Sequence, residues 1–174
     1  MKKITVKPIA LLLLCSCMGV LANKAHAQKL VFVFGHGAYN KPADAQLNNA
    51  YTAGIGAEAG LGIGWKKTFI VGTVGYNSFG AAGNNSAGAL TVVPFKAGIR
   101  QYIIGKLVYL HGDMGIANIK NKYTDATQKF TADAGAGVKL GPLEIQMDYE
   151  GFTRSNPAGF ASWVGIKAGL AIGL

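Results

Sequence analysis

The chain has 174 residues, half of them apolar and only 14% charged, with 25 glycines, a formal charge of +9 and two cysteines. That length suits one domain, and a composition with roughly double the usual glycine and well under the usual one-quarter of charged residues excludes disorder. It also excludes a helical membrane protein, because the longest densely apolar run without charge, residues 9–22, falls short of the roughly 20 residues a spanning helix needs.

The N-terminal 27 residues read as a secretory signal peptide. Lys2, Lys3 and Lys7 make a basic start, an apolar stretch follows from Ile9, and Ala25-His26-Ala27 forms a small-residue cleavage signature before Gln28. Cys15 and Cys17 both lie inside this segment, so cleavage after Ala27 leaves residues 28–174 without a thiol, a disulfide or a cysteine metal site. Lipoprotein processing at Cys17, on the lipobox-like run Leu14-Cys15-Ser16-Cys17, is the competing reading. Of the 17 basic residues, Lys2, Lys3, Lys7 and Lys24 leave with the signal, so 13 face eight acidic residues in the remainder. Much of the basicity is therefore an export device, and no nucleic-acid partner is expected.

From residue 28 onward the apolar residues recur with a period of two, never with a helical period over three turns. The first segment, residues 29–39, has no clear faces. In residues 51–65 the odd positions from Tyr51 through Ile55, Leu61 and Ile63 to Trp65 form one apolar face, opposite glycines and Glu58. Residues 68–79 are again ambiguous. Beyond them, Thr91, Val93, Phe95, Ala97 and Ile99 oppose Lys96 and Arg100, and Val108, Leu110, Met114 and Ile116 oppose Tyr109, His111 and Asp113. Phe130, Ala132, Ala134, Ala136, Val138 and Leu140 oppose Thr131, Asp133, two glycines and Lys139. Leu143, Ile145, Met147 and Tyr149 oppose Glu144, Gln146, Asp148 and Glu150. In the last segment Phe160, Val164, Ile166, Ala168, Leu170, Ile172 and Leu174 oppose Trp163 and Lys167.

Eight strands are predicted, an even number that lets an antiparallel up-and-down β-barrel close with both ends on one side. The connections at 64–67, 103–106 and 141–142 are tight. Those at 41–50, 81–89 and 119–129 are longer and polar, and 154–159 is short. Short turns at one end and longer loops at the other match outer-membrane barrels.

The charges follow the same logic. Glu58, Asp113, Asp133, Glu144, Asp148 and Glu150 share the non-apolar face with Lys96, Arg100, Lys139 and Lys167. An arginine or lysine facing lipid at the midplane of a barrel costs about 2–4 kcal/mol, which accounts for this segregation if hydrocarbon lies outside. A soluble sandwich with its apolar faces inward produces the same alternation in each strand. The membrane reading draws further on the glycine-rich polar faces and on Tyr51, Trp65, Tyr102, Phe130, Phe152 and Phe160 near strand ends, expected as aromatic girdles. An eight-stranded barrel has an interior that side chains fill, so the inward charges, with His111 beside Asp113, are expected to pair as a lumen network and not to line an open pore.

On these features the chain resembles the small eight-stranded outer-membrane barrels of Gram-negative bacteria, of the outer membrane protein A and X type. The resemblance covers residues 28–174 and rests on signal peptide, strand count, alternating connection lengths and a final strand ending the chain; Leu174 stands where that family commonly has an aromatic residue. It implies a bacterial outer-membrane location, lipids and lipopolysaccharide as surroundings, and a monomer. It also implies a role among envelope-stabilising proteins, adhesins, narrow channels and a minority of lipid-modifying enzymes.

No motif specifies chemistry. Gly54-x-Gly56 and Gly135-x-Gly137 lie inside strands, away from the strand-turn-helix context that a phosphate cradle needs. The histidines His26, His36 and His111 are too few and too scattered to predict a metal cluster, and no cofactor is expected. His36 with Ser78, Ser155 or Ser162 is the one conceivable nucleophile and base set, and no spacing brings its members together. Lys120, Lys122 and Lys129, with Tyr123, Lys41 and Arg154, are candidates for lipopolysaccharide phosphates, against the plainer reading of a solvated loop. The expectation is a non-enzymatic outer-membrane barrel with a structural or surface-interaction role. The alternatives are a narrow pore for small solutes and a soluble periplasmic barrel that binds an apolar ligand.

Overall fold

The structure, a computed structural model, describes residues 31–83, 88–122, 125–155 and 158–173. The signal-peptide and Cys17 readings, Tyr123 and Leu174 lie outside the described residues. Eight strands form one closed barrel: β1 (Val31–Pro42), β2 (Tyr51–Trp65), β3 (Thr68–Ala81), β4 (Leu90–Ile104), β5 (Val108–Lys120), β6 (Thr127–Leu140), β7 (Leu143–Ser155) and β8 (Ala158–Gly173). Each pairs antiparallel with the next, and β1 closes the cylinder on β8, from Phe32 opposite Gly173 to Pro42 opposite Trp163. Strands of 12 to 16 residues exceed the roughly 9–11 that suffice to cross a bilayer when tilted.

Connections at one end are tight. Gly105 and Gly141 take φ of 58° and 63° there, and Lys66 takes φ 56° at the third turn, a left-handed conformation that costs a residue with a Cβ. At the other end the β1–β2 connection carries a short helix, α1 (Ala45–Ala50), N-capped by Asp44, whose carboxylate accepts from the Leu47 N–H at 3.0 Å. Arg154 ties this cap down, donating to both carboxylate oxygens of Asp44 at 2.8 and 3.3 Å. Leu47 thereby inserts into the barrel mouth.

The apolar faces point outward. Ile55, Met114, Leu143, Ile145, Met147 and Ile166 are among large side chains exposed on the outer wall, and every strand contributes to this belt. The exposed Lys41, Lys66, Lys67, Lys106, Lys120 and Lys122 sit at strand ends or in connections. A continuous apolar surface of this extent suits hydrocarbon, not water, and is the reverse of a soluble barrel that folds around an apolar ligand.

Three of the expected girdle residues are not on this surface. Trp65 and Phe130 face outward and Phe160 is half-buried, whereas Tyr51, Tyr102 and Phe152 turn into the barrel and are buried. A register shift between Tyr51 and Gly54 swings Tyr51 from the outer face to the inner one. Tyr102 and Phe152 keep strict alternation but lie on the even, inward positions of β4 and β7. The outer aromatic ring is made instead by Tyr39, Tyr76, Phe95, Phe130 and Tyr149, with Trp65 at the turn end.

Glycines on the inner wall are matched to large partners. A Cβ on Gly62 would overlap the Phe32 ring, and one on Gly137 would overlap the Tyr109 ring. Gly137→Val is therefore expected to destabilise the barrel by about 1–3 kcal/mol through overpacking, read as a lower urea midpoint of the protein folded in detergent. Gly72, whose added Cβ would meet nothing within 4 Å, is the control, and Gly72→Ala should be neutral or slightly stabilising.

Candidate functional site: a layered lumen

The barrel axis is filled by three layers. At the loop end Leu47, Tyr51, Phe79, Leu90, Val92, Phe152 and Trp163 form an apolar plug, with the Trp163 ring 5.2 Å from Phe79 and 6.2 Å from Phe152. At the turn end Phe32, Phe34, Phe69, Val71, Tyr102 and Tyr109 form a second, with ring centroids 5.2 Å apart for Phe32–Phe69 and 5.4 Å for Tyr102–Tyr109. β1 contributes to the turn-end plug and β3 to both, so their inner faces carry Phe32, Phe34, Phe69 and Phe79 while their outer faces carry Val33, Tyr39, Ile70 and Tyr76. Two apolar faces on one strand erase the alternation signal, which is why these segments were ambiguous in sequence.

Between the plugs lies a chamber of ionisable groups. Lys167 Nζ donates to Glu58 and Asp148, each at 2.6 Å, and lies 3.5 Å from Glu150. Lys96 pairs with Asp133 and, at 2.8 Å, with Glu150. Arg100 donates to Glu144 at 2.7 Å. Its guanidinium lies 4.2 Å from the centre of the Tyr109 ring and 4.9 Å from those of Phe32 and Phe34, so the same cation joins the chamber to the aromatic plug. His111 lies 2.8 Å from Asp113 and 3.0 Å from Asp148. Apart from the partly buried Glu58, all these charged groups are buried. A buried ion tolerates this only when it is paired and hydrogen-bonded, and the pairing runs across the lumen between strands far apart in sequence.

The structure thus brings together ten of the eleven residues proposed for the lumen from sequence: Glu58, Lys96, Arg100, His111, Asp113, Asp133, Glu144, Asp148, Glu150 and Lys167. Lys139 is the exception. It faces inward but lies below the aromatic plug, half-buried at the turn-end rim, where its ammonium donates to the Ala171 carbonyl. Its register partner Glu144 points the other way, toward Arg100 and His36. Lys139 lines a mouth of about 350 Å³ with Phe32, Phe69, Tyr102 and Lys106.

Sequence reading missed His36 as a member. Its ring nitrogens lie 3.1 Å from Glu58 and 3.0 Å from Glu144, and its neighbours in β1 hid its facing. Gln146 was placed on the inner face but not in the network; it accepts from the Tyr109 hydroxyl at 2.8 Å and donates to Asp148 at 3.0 Å. The serines suggested as partners of His36 are engaged or placed elsewhere: Ser162 shares a 2.6 Å hydrogen bond with Tyr149, Ser155 accepts from Lys129 at 2.7 Å, and Ser78 is on the outer side of β3. Lys120 and Lys122 are exposed at the loop end, and Lys129 is half-buried beside Ser155.

The closed ring of eight antiparallel strands recurs in solved structures. Neisserial surface protein A is matched over 86% of this chain and 100% of its own, at 12% identity and a TM-score of 0.56. The outer membrane enzyme PagL is matched over 82% and 99%, at 12% identity and a TM-score of 0.52. The fold is that of the small eight-stranded outer-membrane barrels. The attachment invasion locus protein Ail of Yersinia pestis, matched over 82% and 96% at 14% identity and a TM-score of 0.50, has the same outer-membrane barrel fold. No protein-family model and no curated protein matches the sequence. An enzyme and surface proteins share this barrel, so the fold does not select an activity.

Proposed function

We propose that this chain is a non-enzymatic protein of the bacterial outer membrane, a closed barrel that serves the envelope structurally or presents its loop end for surface interactions. The observation that carries this reading is the sealed axis, with an ion-paired chamber held between two apolar plugs. A narrow solute pore would need a continuous polar path. Here a solute would have to displace Trp163 and Phe79 at one end and the Phe32–Phe69–Tyr102–Tyr109 stack at the other. Catalysis finds little support, because His36 is committed to two carboxylates inside the sealed chamber. The loop end carries Lys41, Lys120, Lys122 and Lys129, a basic rim suited to the phosphates of lipopolysaccharide in the outer leaflet around a single barrel.

The protein reconstituted into planar bilayers is expected to give no steady open state. Stable ohmic steps from the wild type would refute the closed-barrel reading in favour of transport. Fractionation supplies a second check: the protein should enter the outer-membrane fraction and migrate differently before and after boiling.

A further inference from the structure

We propose that His111, Asp113 and Asp133 form a binding site for one divalent transition-metal cation of the zinc class, seated inside the ionic chamber. β5 and β6 create the site. Asp113 and Asp133 are direct register partners on neighbouring strands, and His111 lies two residues from Asp113 on the same inner face. One ligand atom from each residue lies within 4.8 Å of the others. His111 Nδ1 is 2.8 Å from Asp113 Oδ2 and 3.6 Å from Asp133 Oδ1. These spacings bracket the roughly 3.3 Å that separates neighbouring ligands around a tetrahedral ion with bonds of about 2.0 Å.

The surroundings point the same way. His111 Nε2 lies 3.0 Å from Asp148 Oδ1, and Asp148 is itself anchored by Lys167 at 2.6 Å. A fixed carboxylate on the far nitrogen is the arrangement that turns an imidazole's other nitrogen toward a metal. Asp113 Oδ1 and Asp133 Oδ1 are buried without a hydrogen-bond partner, while Lys96 engages only the other oxygen of Asp133. Buried carboxylate oxygens without a partner are costly, and two carboxylates facing each other across a strand pair repel.

A small cavity of about 10 Å³, the space of one water or one ion, is lined by His111, Asp113 and Asp133 together with Glu58, Lys96 and Arg100. Gly98 and Gly135 keep the groups clear. A Cβ on Gly98 would fall on Asp113 Oδ1, and one on Gly135 would lie 2.7 Å from both Asp148 Oδ1 and His111 Nε2. Lys96, Arg100 and Lys167 face six carboxylates in the chamber, with the two imidazoles beside them.

The test uses the full barrel refolded in detergent with Zn²⁺ or Co²⁺ and passed through gel filtration, with folding verified by heat-modifiable migration. Wild type should retain about one equivalent per chain, give a Co²⁺ spectrum of mixed nitrogen and oxygen ligation, and unfold at a higher temperature with Zn²⁺. Asp113→Asn should bind at least about tenfold more weakly. His111→Gln carries the same expectation should Asp113→Asn not fold, and exposed Asp125→Asn should behave as wild type. Folded wild type that retains no zinc, or either chamber variant retaining it as wild type does, would overturn the site. Neither result bears on whether the barrel conducts.

Discussion

Replacing Lys167 by methionine is expected to cost the folded barrel about 3–5 kcal/mol, the usual loss when one partner of a buried ion pair is removed. Lys167 is the hub of the chamber. One ammonium serves Glu58 and Asp148 at 2.6 Å and Glu150 at 3.5 Å, so its loss leaves three lumen carboxylates, two of them fully buried, short of a cation. Methionine preserves most of the volume, which separates the charge effect from a cavity effect. Urea unfolding of the barrel in detergent, followed by heat-modifiable migration, reads the change. Adding Glu58→Gln and Glu150→Gln to Lys167→Met should recover part of the loss, because the orphaned charges then disappear along with their counter-ion. A single variant within about 0.5 kcal/mol of wild type would show that the chamber contributes nothing through its pairing. Lys106→Met, on the exposed rim, supplies the comparison and should change little.

Met147→Arg is expected to cost about 2–4 kcal/mol in a lipid bilayer, because Met147 faces outward between Leu143 near the turn end and Tyr149 in the upper aromatic ring. Gln146 and Asp148 on either side of it point inward, so the substitution tests the outer wall without touching the chamber. Thr68→Arg, exposed beside the β2–β3 turn, sits near the expected interface and should cost about 0–1 kcal/mol. Folding yield into phospholipid vesicles and the denaturant midpoint there measure both. An arginine at Met147 that folds into vesicles as well as wild type would mean that water, not hydrocarbon, bathes this wall.

Legibility along the chain followed the local contrast between the two faces of each strand. β6 and β7 are legible because every inward position of Asp133, Glu144, Asp148 and Glu150 alternates with an apolar outward one. β1 and β3 are not, because their inner faces furnish aromatic plug residues and so match their outer faces in polarity. His36 was hidden for that reason alone. A bulge moves Tyr51 off the face its alternation predicts, by a register step that periodicity cannot reveal. Lys139 has the right facing but the wrong height: alternation reports which side of the wall a residue takes, not its level along the axis.

Strand count, the side of the wall for most residues and the confinement of charge to the interior were thus written in the order of residues. Each depends on near neighbours and on the two-residue period of an extended chain. The partners inside the barrel were decided by closure. Pairing β1 with β8 and tilting all eight strands brings Lys167 to Glu58, His36 to Glu144 and Asp148 to His111, groups separated by 37 to 109 positions. Such contacts carry no local signal, because they arise from strand register and shear around a cylinder, quantities that exist only once the sheet has met itself.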